Sequence, residues 1–314
     1  MPLKFLKKYW FLVCLAVVVV VGFSHPEIGL AYREMGAVPV SVAVLMFLSG
    51  LLLDTSSLVR EALNIRLVVA IFACVFVIFP VLACSVVWAF FRWNQDVLIA
   101  LTILAAQPST LASGIVMTRI AEGNDALAVV AAVTTNLSSV LLTPLVFFVI
   151  LGAGGQVEIS TPDMIVRLLR TVLLPVALGQ VVRRLVGGPW LDSLRVPMGV
   201  FSQWVILGMI LTGISGAAGE LYGALGLVGI ALYLHTVMIV LSYFLGRVVH
   251  ATRGEAIALI LCGSQKTLPA GIYIWSTYFP YVAIGSVPVV AYHVVQMIID
   301  SILAVRFRDR WKRD

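Results

Sequence analysis

Long runs of apolar residues recur along the chain, parted by short polar loops, and a helix needs about 20 such residues to cross a bilayer. The runs predict ten helices, over 8–24, 37–53, 65–91, 97–119, 126–151, 163–185, 199–217, 222–249, 255–277 and 281–306. They are too long and continuous for membrane strands, which alternate in short segments between turn signals. Composition narrows the class. Of 314 residues, 61% are hydrophobic and 11% charged, so the folded exterior would be apolar and its solvent must be lipid. Lys4, Lys7 and Lys8 followed by an apolar run have the layout of a signal peptide. No small-residue cleavage site follows, so a retained first span is expected.

The net charge of +6 does not imply a nucleic-acid partner, because the basic residues lie scattered in short loops. With the N-terminus inside, 16 of the 21 Lys and Arg fall on the inner side, including Arg60, Arg66, Arg119, Arg183, Arg184, Arg195, Arg247, Arg253 and the tail from Arg306. Arg33, Arg92, Arg167 and Arg170 fall outside, and Lys266 falls within a span. This bias predicts a multi-pass protein of the cell membrane with both termini cytoplasmic. Trp10, Trp93, Trp190 and Trp311 fall near the interfaces, and Asp54–Ser57 read as a cap on a cytoplasmic turn. Gly208, Gly213, Gly216 and Gly219 would allow close helix packing. Cys14, Cys74, Cys84 and Cys262 lie in apolar runs without metal or CxxC spacing, and read as buried thiols.

Residues 103–115 (ILAAQPSTLASGI) and 260–272 (ILCGSQKTLPAGI) agree at six of thirteen positions, at an offset of 157. Each copy would cover five spans. An odd number makes the second copy enter from the opposite side, an arrangement typical of secondary transporters. The expected units are therefore 1–153 and 154–314. In both segments Gly, Pro, Ser and Thr interrupt the span near mid-membrane: Pro108, Ser109, Thr110, Ser113 and Gly114, then Gly263, Ser264, Thr267, Pro269 and Gly271. Opened backbone at that depth is tolerated only against protein or a water-filled cavity. Two discontinuous helices in matching positions point to a transport site.

Lys266, beside Gln265 in the second break, is too central to snorkel to an interface. It reads as a contact for an anionic substrate or as a fixed cation replacing a bound ion; a structural lysine capping freed carbonyls is the plainer alternative. The tenth span carries His293, Gln296 and Asp300 on one face, and the fifth carries Asn136, Ser139 and Thr143 at the same spacing, with Thr134, Thr135 and Ser138 nearby. Each stripe is expected to pack on a break and satisfy its backbone, and Asp300 could instead pair with Arg306 or Arg308. No HExxH, Walker A, GxSxG or paired-carboxylate motif appears, so an enzyme or an ATP-driven pump is not expected.

The segments Gly50–Ser56 (GLLLDTS), Ser113–Asn124 (SGIVMTRIAEGN), Leu141–Pro144 (LLTP) and Ser264–Gly271 (SQKTLPAG) resemble the bile acid:sodium symporter superfamily. The SQKTL stretch is similar to the branch of solute-carrier family 10 member 7. The resemblance implies an all-α membrane fold of ten spans, with a panel (spans 1, 2, 6, 7), a core (spans 3–5, 8–10) and two broken helices crossing in the core. It implies sodium behind the crossing and an organic anion in front, with fifth-span ligands near Thr134 to Ser139. Departures bear on the ion. The ninth span has no glutamate in ILCGSQ, Gly114 and Ile115 replace a Ser-Asn pair, and Val75 replaces a glutamine. An ammonium at Lys266 would repel sodium. The expectation is a secondary transporter of a small organic anion working by alternating access, with no cofactor, Na+ or H+ as the candidate coupling ion, and sodium coupling disfavoured. A cation/proton exchanger and a non-transporting membrane regulator are the alternatives.

Overall fold

In a computed structural model, residues 2–53, 64–92, 94–152, 160–219 and 221–311 are described. Asp54–Ser57, Trp93, Lys312 and Arg313 lie outside them, as do the side chains of Lys4, Lys7, Lys8, Arg310 and Trp311. Among the described residues the chain is helical, without strands. The helices are α1 (Pro2–Ser24), α2 (Pro26–Glu34), α3 (Ala37–Leu52), α4 (Ile65–Phe91), α5 (Gln95–Ala105), α6 (Ser113–Ile120) and α7 (Asp125–Ile150). They continue as α8 (Thr161–Val186), α9 (Gly188–Ser193), α10 (Arg195–Gly216), α11 (Leu221–Val248), α12 (Arg253–Ser264), α13 (Leu268–Tyr278) and α14 (Val287–Trp311). Seven of these stretches are long and apolar enough to cross a membrane, or eight if the pair α1–α2, bent by 91°, is one span. Helix α2 was not expected. Pro26 opens it, and a proline suits the first turn of a helix but ends the one before.

Helix α3 is shorter than a full span, and the run expected at 97–119 is split into α5 and α6. Pro108 accounts for the split, since it disfavours helical geometry at Gln107. The second break is tighter: Gln265 (φ −81°, ψ 148°) and Thr267 (φ −79°, ψ 136°) are extended, and Pro269 lies in the first turn of α13. Among the candidate spans, residues 253–278 are the most enclosed. The apolar window of this segment is 100% buried, against 22–56% in the other candidate spans, so its opened backbone meets protein rather than lipid.

Helices α1, α2 and α3 pack with α8 and α10, while α11 packs on α12 and α14, and α6 on α7, α12 and α14. Glycine permits the closest approach between α3 and α8. A Cβ on Gly50 would strike the Val176 backbone, and one on Gly179 would strike backbone of Phe47 and Leu51. Of the glycines expected to matter, Gly213 packs against Val290 and Ile272, and Gly216 against the Trp275 ring. Gly208 only touches Tyr32, and Gly219 faces open space.

The loops meet in two groups. At one end Asn124 N donates to Gly254 O at 2.9 Å, Asn64 Nδ2 reaches Glu255 Oε1 at 3.0 Å, and Arg253 reaches Phe307 O at 2.7 Å. At the other end of the 253–278 segment, Tyr278 donates to Asp163 and the Arg33 guanidinium lies 5.5 Å from the centre of the Trp275 ring.

Candidate functional site

The first break frees a run of carbonyls, and each finds a donor elsewhere. Ala105 O and Gln107 O accept from Lys266 Nζ, both at 2.8 Å. Ala106 O accepts from Thr143 Oγ1 at 2.7 Å, Pro108 O from Thr267 N at 2.9 Å, and Ser109 O from Asn136 Nδ2 at 2.8 Å. The end of a helix leaves about four carbonyls without partners, and at this depth in a membrane they need donors from the protein itself or from a polar cavity. Here α7 and the second break supply the donors, so the two breaks are joined directly, backbone to backbone, at Thr267 and Pro108.

Lys266 also reaches a third carbonyl, Val75 O on α4, at 2.7 Å. Local sequence explains why that oxygen is free. In the π-turn Cys74–Ile78, Phe79 N bonds to Cys74 O, and the next residue, Pro80, has no N–H. Val75 O thus loses both backbone donors that could reach it. The ammonium lies 4.4 Å from the centre of the Phe79 ring and 5.9 Å from that of Phe76, which adds cation–π attraction. Only 1% of Lys266 is exposed, and all three of its donors are engaged. A sodium ion behind this junction would need oxygen ligands, and these carbonyls already surround an ammonium. The residues therefore do not fit sodium at this position. Among the described residues no cluster of His, Cys, Asp or Glu could hold a metal.

The second break is held by side chains. Gln296 Oε1 accepts from Lys266 N and its Nε2 donates to Lys266 O, both at 2.9 Å. Gln265 Oε1 accepts from Thr110 Oγ1 and, at 3.2 Å, from Ser113 Oγ, while its Nε2 donates to Asp300 Oδ2 at 2.6 Å. Asp300 Oδ1 lies 3.0 Å from His235 Nε2, whose Nδ1 lies 3.1 Å from the Tyr292 hydroxyl, and Tyr292 donates to Ser264 O.

Of the residues singled out from sequence, Ser109, Thr110, Ser113, Asn136, Ser264, Gln265, Lys266, Thr267 and Gln296 converge on this junction. Gly114 joins them by close packing, since its Cβ would lie 3.1 Å from Gln265 Oε1. Thr135 and Ser139 instead bond to carbonyls of their own helix, and the recorded partner of His293 is Gln296, at 3.1 Å. Asp300 is fully buried against His235 and Gln265 rather than paired with Arg306 or Arg308; Arg308 pairs with Asp309. Sequence reasoning missed His235, Tyr292 and the role of Pro80. The signal for His235 was available, as an ionisable residue in the middle of an apolar run.

The sequence profile of the SBF-like CPA transporter family matches residues 9–309. Sodium/bile acid cotransporter 7 of Mus musculus is 26% identical over 318 residues, 95% of this chain and 92% of the relative. A putative symporter of Escherichia coli is 27% identical over 285 residues, covering 85% and 83%. An uncharacterized protein of Pseudomonas aeruginosa is 28% identical over 281 residues, covering 86% and 84%. With a match that runs almost from end to end, the chain belongs to the SBF-like CPA transporter family.

Proposed function

We propose that this protein is a secondary transporter that moves a small organic anion across the cell membrane by alternating access. In this reading ten spans form two inverted five-helix units, 1–153 and 154–314, with both termini cytoplasmic. The panel comprises α1–α3, α8 and α10, and the core comprises the remaining long helices. The observation that carries the reading is the Thr267–Pro108 bond between two opened backbones inside an enclosed segment. Simple membrane anchoring would require neither break.

Two further features support an anion. The half-helices α6 and α13 both begin at the junction, which brings two partially positive N-termini to one place. The Ser109 hydroxyl is buried there without a partner among the described residues, which leaves it free to donate to an anionic oxygen or a water. Lys266 serves as the fixed cation of the junction, in place of a coupling sodium.

Uptake into proteoliposomes tests this. Saturable accumulation of a bile acid or a sulfated steroid is expected, undiminished when choline replaces sodium. No uptake of either class under any ion gradient would overturn the anion reading, and strict sodium dependence would overturn the role given to Lys266.

A further inference from the structure

We propose that His235 and Asp300 together form a proton-binding site whose occupancy is read by the second helix break through Tyr292. Proton counting along the buried hydrogen bonds leads to this. Tyr292 has one hydroxyl proton, and it goes to Ser264 O, because a carbonyl can only accept. Toward His235 Nδ1, 3.1 Å away, the Tyr292 oxygen is then the acceptor, so Nδ1 carries a proton. The contact between His235 Nε2 and Asp300 Oδ1, at 3.0 Å, needs a proton too, borne by either atom, since a bare nitrogen would face a carboxylate lone pair. Asp300 Oδ2 already accepts from Gln265. The arrangement is complete only when the pair holds two protons between Nδ1, Nε2 and Oδ1, which leaves it neutral overall.

Release of one proton to water forces a rearrangement. The remaining proton must stay on Nε2, facing the Asp300 carboxylate, so Nδ1 becomes bare. The Tyr292 hydroxyl then turns to donate to Nδ1, and Ser264 O, a terminal carbonyl of α12, loses that donor. One proton leaves and one hydrogen bond moves, at the residue immediately before the break at 265–267. His235, Asp300, Tyr292 and Ser264 are all fully buried, so the lost bond is not replaced by bulk water.

Few other charges compete. Among the described residues His235 is the recorded ion-pair partner of Asp300. From α12 the titratable group is the Cys262 thiol, whose hydrogen-bond acceptor is Ala128 O. From α14 the titratable neighbours are Tyr292 and, one residue on, His293, which is bonded to Gln296. From α4, Cys74 is bonded to Ser242 of α11. The Lys266 ammonium is committed to its three carbonyls. The site therefore offers a transporter with a cation already fixed at its junction a way to couple to a proton gradient. It rests on the transport reading for its use and not for its existence.

The test uses protein in nanodiscs with histidine rings labelled with 15N, together with hydrogen exchange of the 264–268 amides. As the pH is raised, His235 Nδ1 should pass from protonated to bare, with His235→Gln identifying the signal. Protection of the 264–268 amides should fall about tenfold as it does, the effect of losing one buried hydrogen bond. Asp300→Asn should abolish the switch. Tyr292→Phe should keep the titration but remove the change in exchange, and it decides the matter even if Asp300→Asn fails to fold. An Nδ1 that does not change with pH, or an exchange change that survives in Tyr292→Phe, would overturn the proposal. Neither measurement needs a substrate, so its failure leaves the transport reading standing, and failed transport leaves this result intact.

Discussion

Gln296 grips Lys266 by both ends of its backbone, accepting from its N–H and donating to its C=O at 2.9 Å each. The side-chain amide takes the place of the helical neighbours that an extended residue has lost. In water these groups would be solvated; in this enclosed segment they would otherwise be orphaned.

Gln296→Leu keeps the volume and removes both bonds. A loss of about 2–6 kcal/mol is expected from two buried backbone groups left unpaired, measured by denaturant unfolding in mixed micelles. Stability within 0.5 kcal/mol of wild type, about the scatter of ordinary surface substitutions, would show that the clamp is not needed.

Lys266→Ala should leave Val75 O, Ala105 O and Gln107 O facing one another without a donor. The variant is expected to lose roughly 3–5 kcal/mol, as when one partner of a buried charge interaction is removed. Sodium chloride should recover part of the loss where choline chloride does not, because a small cation can enter the vacated cage and bind only the folded form. The wild type should respond to neither salt. Equal stabilisation of both proteins by sodium would refute the idea that the ammonium replaces an ion.

Pro80→Ala separates helix propensity from function. Replacing a proline inside a helix usually stabilises by about 3 kcal/mol. Here the new N–H would compete with the Lys266 ammonium for Val75 O, or let the π-turn relax and withdraw that carbonyl. We expect little or no gain in thermal stability and slower transport. A full gain with unchanged uptake would show that the π-turn does not serve the site.

Gly179→Ala tests the contact between α3 and α8. The added methyl would meet backbone of Phe47 and Leu51, which cannot rotate away as a side chain can, beside the bonds from Gln180 to Gly50 O and Leu53 O. Destabilisation of about 1–3 kcal/mol is expected from overpacking. Gly219→Ala, which faces open space, should be neutral or better in the same unfolding assay.

The chain's own pattern determined that it is helical and apolar outside, and that two spans open near residues 106–112 and 265–267. These are local properties: hydrophobic run length, and proline and glycine acting within a turn or two of where they stand. The stripes on α7 and α14 were legible for the same reason, through Asn136, Thr143 and Gln296. Tertiary structure alone decided which carbonyls those side chains serve. Lys266 could have faced a substrate, an interface or freed backbone, and its long side chain has no local preference among them. It meets Val75, Ala105 and Gln107 because α4, α5 and the second break are packed together across more than 150 residues of sequence. The pairing of His235 with Asp300 likewise depends on α11 lying against α14, a contact that no periodicity within either helix encodes.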